Sequence, residues 1–279
     1  MSSMSLEFDL SGVSVRLRAL GSDLAREFTN DWGRFQASAR EDRSWDLDVV
    51  VGASRAPAPS GVFNPKSMTA SVDQRRAAFE MPEGRALVSS DGSASLDLAP
   101  SDPSHQFYAA VNLLCACLAW LLPSRGGAIL HAAGVVLGGR AFLMVGPERS
   151  GKTTWATLAK RSGALLLSDD IVMVQKTGSR VEALSAPFRD DHPEGVSPGR
   201  WPVAALLIPS FGTQAALCQV SGSAARARLA ANMPFVADLF GSDPRPMQVV
   251  GDLLESLEVR QLVFAMDATF VDLLRKMPD

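Results

Sequence analysis

Gly146-Pro147-Glu148-Arg149-Ser150-Gly151-Lys152-Thr153 is the stretch that decides how this chain is read. It fits G-x-x-x-x-G-K-[ST], the pattern of a phosphate-binding loop. Glycines let the backbone turn its N–H groups inward around a polyphosphate. The helix that follows adds roughly half a positive charge at its N-terminus. Lys152 can reach terminal phosphates, and the Thr153 hydroxyl can hold Mg²⁺. Gly146, Pro147, Glu148, Arg149, Ser150, Gly151, Lys152, Thr153 and Thr154 are therefore the candidate nucleotide-binding residues. The flanks agree with this. Ala141 to Val145 reads as a buried strand entering the loop, and Thr153 to Arg161 as a short helix ended by Gly163. A glycine-rich strand–helix turn that holds nothing is the plainer alternative.

Upstream, Ile129 to Leu137 is apolar apart from His131, and Gly138-Gly139 is a hairpin signal. The strand entering the loop should thus pair antiparallel with the strand before it. Standard doubly wound nucleotide folds instead use crossovers between parallel strands. Downstream, Ala164 to Leu167 runs into Ser168-Asp169-Asp170, an apolar strand ending in two acids, the form of a metal-holding strand. Ile171 to Gln175, a turn at Thr177-Gly178 and Arg180 to Leu184 predict a second hairpin. Residues 186–200 read as a long loop with Asp190, Asp191 and His192, before a buried strand from Trp201 to Ile208 stopped by Pro209. Helices over Ala224–Ala231, Pro234–Leu239 and Val249–Glu255, a strand at Leu262–Ala265 and a closing helix at Ala268–Arg275 complete the chain. Taken singly, a histidine among apolar residues is more often packed than catalytic. Adjacent strand residues also point to opposite faces, so both acids reach one site only if the strand ends there.

In their order and spacing, Leu130-His131, the glycine hairpin, the loop with Lys152-Thr153 and the run Ser168-Asp169-Asp170-Ile171-Val172 resemble the core of bacterial HPr kinase/phosphorylase. The resemblance covers about residues 128 to 175. It implies a fold like the kinase core of phosphoenolpyruvate carboxykinase: an α/β mixed sheet with antiparallel pairing beside the loop. It implies ATP and Mg²⁺ as ligands, with Lys152 on the phosphates and Thr153 on the metal. It further implies Asp169 as the general base, Asp170 as a Mg²⁺ ligand, and His131 beside the base, setting its charge state. The family's Glu-x-Arg-Gly signature is absent after the double aspartate. The resemblance therefore points to the broad class of HPr-kinase-like proteins, some of which phosphorylate serine in peptides or as the free amino acid, rather than to HPr as acceptor.

The chain has 279 residues, 47% hydrophobic and 20% charged, enough for one large domain or two smaller ones. A net charge of −3 gives no electrostatic case for nucleic-acid binding. Cys115, Cys117 and Cys218 make no disulfide framework or zinc pattern, and Met1 to Asp9 has no secretory character, so the expected compartment is cytoplasmic. The apolar run Phe107 to Leu122 falls short of the ~20 residues a membrane span needs. Asp102-Pro103 opens it as a cap followed by a first-turn proline, so a buried helix is expected and no membrane span.

Residues 1–102 read as a strand-rich α+β region: strands at Leu6–Leu10, Val13–Leu17, Trp45–Val51, Ser67–Val72, Arg75–Glu80, Ala86–Ser89 and Ala94–Leu98, and a helix over Ser22–Phe35 capped by Ser22. Residues 53–65 read as a proline-rich loop. Residues 103–279 are expected to form the loop-bearing domain. The leading expectation is a Mg²⁺-ATP-dependent kinase acting on a hydroxyl, serine above all, of a peptide, protein or small molecule. The alternative is a nucleotide-binding sensor or assembly module without transfer. A carboxykinase-like decarboxylase would need extra basic and metal-binding residues around a carboxylate, and none are identifiable in the sequence. A homo-oligomer is left open.

Overall fold

The computed structural model describes residues 3–37, 45–53, 67–188, 196, 198–236, 240, 241 and 243–278. The expected proline-rich loop 53–65, the acids and histidine at 190–192 and the end of the expected helix 234–239 lie wholly or largely outside the described residues. The chain divides into two compact units: Met1–Leu121 with Asp238–Asp243, and Leu122–Ala237 with Pro244–Asp279.

The first unit is a mixed seven-stranded sheet: β1 (Met4–Asp9), β2 (Val13–Leu20), β3 (Trp45–Ala53), β4 (Thr69–Val72), β5 (Arg76–Met81), β6 (Gly84–Ser89) and β7 (Ser93–Leu98), in the order β1-β2-β3-β7-β6-β5-β4. Pairing is parallel at β2–β3 and β3–β7 and antiparallel elsewhere. Strict alternation puts Ala77, Phe79, Met81, Ala86, Val88, Leu96 and Leu98 inside. Helices α1 (Ser22–Trp32) and α2 (Pro103–Leu121) belong to this unit. Phe28 of α1 meets Trp32 at 5.2 Å and Phe107 of α2 at 4.9 Å, both edge-on.

Two expectations shift here. Gly21 occupies the cap position of α1 and Ser22 is already helical, so its hydroxyl caps nothing. Helix α2 has 19 residues, long and apolar enough to cross a membrane, yet it packs against α1 and strands β5–β7 and is mostly buried in protein. Burial, rather than length, marks it as a core helix. Asp102 caps it as expected, accepting from the His105 N–H at 3.0 Å. By chain contacts α2 belongs to the first unit, whereas the sequence reading groups it with the loop-bearing domain.

The second unit holds β8 (Gly127–Leu137), β9 (Arg140–Val145), β10 (Leu165–Ser168), β11 (Ile171–Thr177), β12 (Arg180–Leu184), β13 (Arg200–Phe211), β14 (Ala216–Gln219) and β15 (Glu258–Phe264). Its helices are α3 (Lys152–Arg161), α4 (Gly222–Ala231), α5 (Arg245–Ser256) and α6 (Phe270–Arg275). Two long strands are shared. The first half of β8 pairs with β11, and its second half with β9 and β10. The start of β13 pairs with β12, and its remainder with β9 and β15. The pairings β8–β9–β13–β12–β11–β8 therefore close into a ring, mixed in direction because β9, β13 and β15 run parallel. Helices α4 and α5 bury Leu229, Val249, Val250 and Leu253 against Leu130, Leu143, Val172 and Leu206.

Both expected hairpins form. Gly138 and Gly139 turn the first with φ of 58° and 78°, values a two-residue turn demands and glycine adopts without strain. β11 and β12 form the second. Pro209 does not stop β13, which continues to Phe211. The pairing with β9 ends at Leu207, so beyond it one side of β13 needs no donor and proline is tolerated.

Candidate functional site

Residues 146–151 join β9 to α3 through a tight turn, with the Ser150 N–H donating to the Pro147 carbonyl at 3.3 Å. Gly151 caps α3 with φ +92° and offers no side chain, so the first N–H groups of the helix are left without a side-chain cap. Gly146 is equally confined: a Cβ there would stand 2.7 Å from Ser150 Oγ and 3.0 Å from Pro209 Cγ. Ser150 Oγ is buried with no hydrogen-bond partner. A bare cradle, an uncapped helix start and an orphaned hydroxyl fit an anion held by backbone N–H groups. Pro147, Glu148 and Arg149 form the exposed rim, Arg149 with φ +61°. Thr153 is exposed and Thr154 half-buried in the first turn of α3.

Lys152 is only 7% exposed. Its Nζ donates to the carbonyls of Gly146 at 2.8 Å and Pro147 at 3.0 Å, and lies 3.0 Å from His131 Nε2. On the far side of the ring, His131 Nδ1 lies 2.8 Å from Asp170 Oδ1. With Lys152 as an ammonium, its three N–H groups meet three acceptors. His131 is then neutral, carries its proton on Nδ1 and donates it to the Asp170 carboxylate. Burial pulls the Lys152 pKa below its ordinary value, while the Asp170 and Glu148 carboxylates oppose the shift.

The turn after β10 sorts the two acids. Ser168 is fully buried, and its Oγ accepts the N–H groups of Asp170 at 3.2 Å and Ile171 at 3.0 Å. The strand ends there, so both acids sit in a turn and not on alternating strand faces. Asp170 turns to His131. Asp169, buried, lines a cleft of about 430 Å³ with Thr153, Ala156, Thr157, Lys160, Arg161 and Leu166. His131 thus meets Asp170, whereas the family-based expectation places it beside Asp169. Its backbone is pinned by pairing with Ile171 and by its N–H donating to the Asn232 carbonyl at 2.7 Å.

The sequence reading gave no part in the site to Ser168, Asn232, Pro209 or Phe211. Only Ser168 carried a local signal, a serine preceding a turn. The others reach the site through strand pairing and the chain after α4.

No protein-family model matches the chain, and no curated protein matches it. Among solved structures, the HPr(Ser) kinase/phosphatase from Coxiella burnetii is similar over 53% of this chain and 95% of that one, at 10% identity and a TM-score of 0.29.

Proposed function

We propose that the protein is a Mg²⁺-ATP-dependent kinase that transfers a phosphoryl group to a hydroxyl, most simply a serine of a peptide, protein or small molecule. The observation that carries this reading is the chain Lys152–His131–Asp170, which links the loop's cation to a carboxylate in two hydrogen-bonding steps. A carboxylate oriented by an imidazole beside the loop is placed to take a proton, which binding of nucleotide alone does not require. A phosphotransferase needs one, to take the acceptor's proton.

The residues divide the work by position. Backbone N–H groups of the loop and of the start of α3 bind phosphate oxygens, and Lys152 exchanges its carbonyl partners for them. His131 holds Asp170 Oδ1, which leaves Oδ2 to receive the hydroxyl proton. Thr153 and Asp169 share the cleft beside α3, and a hydroxyl with one carboxylate suits Mg²⁺, which keeps most of its waters. That metal would neutralise charge on the phosphates. The parts assigned to Asp169 and Asp170 are the reverse of those the family resemblance implies, because the imidazole meets Asp170 and Asp169 lines the same cleft as Thr153.

The test is transfer of label from γ-labelled ATP to a panel of serine-containing peptides and free serine, with and without Mg²⁺. Mg²⁺-dependent labelling is the expected result. ATP binding with no acceptor labelled across the panel would refute the kinase reading.

A further inference from the structure

The loop has a second flank that the chemistry above leaves unused. β9, β13 and β15 are parallel neighbours in that order, so their carboxyl ends open on one edge, where sheets of this kind hold ligands. On the β8 side of β9 stand His131 and Asp170. On the β13 side stands Phe211, the last residue of its strand. Its ring packs on Phe264, the last residue of β15, with centroids 5.4 Å apart and planes at 43°. Its edge rests on the bare Cα of Gly151, where a Cβ would stand 2.7 Å from Phe211 Cζ. Phe211 is fixed on these two sides, yet it is 60% exposed. Met266, two residues past Phe264, is 72% exposed. Large apolar side chains left open beside a polar loop mark a surface that something apolar and flat can cover.

We propose that Phe211, with Met266 beside the same strand end, is the platform on which the base of the loop-bound nucleotide stacks. The proposal rests on the nucleotide reading of the loop. A nucleoside triphosphate lying in the loop has two distinguishable ends. The terminal phosphate belongs on the side of Lys152, His131 and Asp170, so the nucleoside leaves on the opposite side, toward β13. Stacking on an aromatic ring does not depend on a base's hydrogen-bonding pattern, so adenine and guanine are held with similar strength.

Calorimetric titration of the intact protein with ATP, GTP and inorganic tripolyphosphate, each with Mg²⁺, tests it. Phe211→Ala is expected to weaken ATP and GTP by about tenfold while leaving tripolyphosphate within about twofold, and Phe211→Trp to keep nucleotide affinity. An equal loss for all three ligands would show that the ring only props Gly151, and would overturn the platform. So would unchanged affinity for all three. A native protein that binds none of the three removes the nucleotide reading itself, and the platform with it.

Discussion

The two units bury polar groups in different ways. Among the described residues of the first, the buried polar side chains are Ser11, Ser14 and Glu83, spread over separate turns and strands. Its interior is otherwise aromatic and aliphatic, centred on Phe8, Phe28, Trp32 and Phe79. In the second, Lys152, Ser168, Asp169 and Asn232 are buried near one loop, while Gln175 on β11 and Ser185 after β12 are buried with partners of their own at Arg125 and Gly199. Burying such groups costs several kcal/mol unless each finds a partner. Four such groups gathered beside one loop spend stability there, as a site would require, whereas the scattered ones each meet a local partner. The contrast puts the larger cluster of buried polar groups in the second unit, beside the loop.

The largest expected effect divides the two acids. Asp170→Asn is expected to bind Mg²⁺-ATP normally and to transfer phosphate about 10²–10⁴-fold more slowly, the usual range for a lost general base. Asp169→Asn is expected to need much more Mg²⁺ for the same rate. Transfer rates measured against Mg²⁺ concentration separate the two. Curves of the same shape would erase the division of labour, and the opposite pattern would restore the assignment implied by family resemblance.

On the packing side, Phe28→Ala removes a ring that touches Phe8, Trp32 and Phe107. It is expected to cost about 3–5 kcal/mol in urea unfolding. Lys152→Met removes a buried charge, so its unfolding midpoint is expected to stay near that of the native protein while ATP binding is lost. A Phe28 variant as stable as the native protein would break the contrast between the units.

Thiol chemistry gives a smaller and cleaner readout. Burial pushes the Cys117 thiol up to about 12, and Cys115 is buried beside it on α2, whereas Cys218 on β14 is exposed. Under native conditions one thiol, Cys218, is expected to react with a maleimide, and all three in urea. Rapid native labelling of Cys117 would mean that α2 opens readily.

The smallest effects lie in the pH dependence of stability, and they differ in sign of charge between the units. Asp73, in the turn before β5, accepts the N–H groups of Arg75 at 2.6 Å and Arg76 at 2.8 Å, which hold its pKa below 3.8. Its contribution is present above the unfolded pKa and fades as the pH falls through the folded one, so Asp73→Asn is expected to remove part of the acid-side loss. Lys152 has its pKa lowered from 10.5, so between the folded and unfolded values the unfolded chain binds more protons and stability rises with pH. Lys152→Met is expected to flatten that alkaline rise. Urea midpoints from acid to alkaline pH check both, and a slope unchanged in Lys152→Met would mean the lysine is not desolvated.

Much of this was legible in the sequence because its causes are local. The alternation in β5 and β6, the Asp102 cap, the Gly138-Gly139 hairpin and the glycines of the loop each depend on residues within a few positions of one another. The linear order of His131, Lys152 and the paired acids was enough to nominate them as one group.

The tertiary structure alone decided what each of them touches. Asp169 and Asp170 are neighbours in sequence and chemically identical. Only the Ser168 turn, set against the pairing of His131 with Ile171, sends one to the imidazole and the other to the cleft beside α3. Pro209 could stay in a strand because β9 ends two residues earlier along β13, and Phe211 could reach Gly151 because β13 lies beside β9. Pairings between strands tens of residues apart leave no local trace in the chain. Which side chains share a site is therefore settled by register and strand order, while the sequence by itself determined only which residues were equipped to be there.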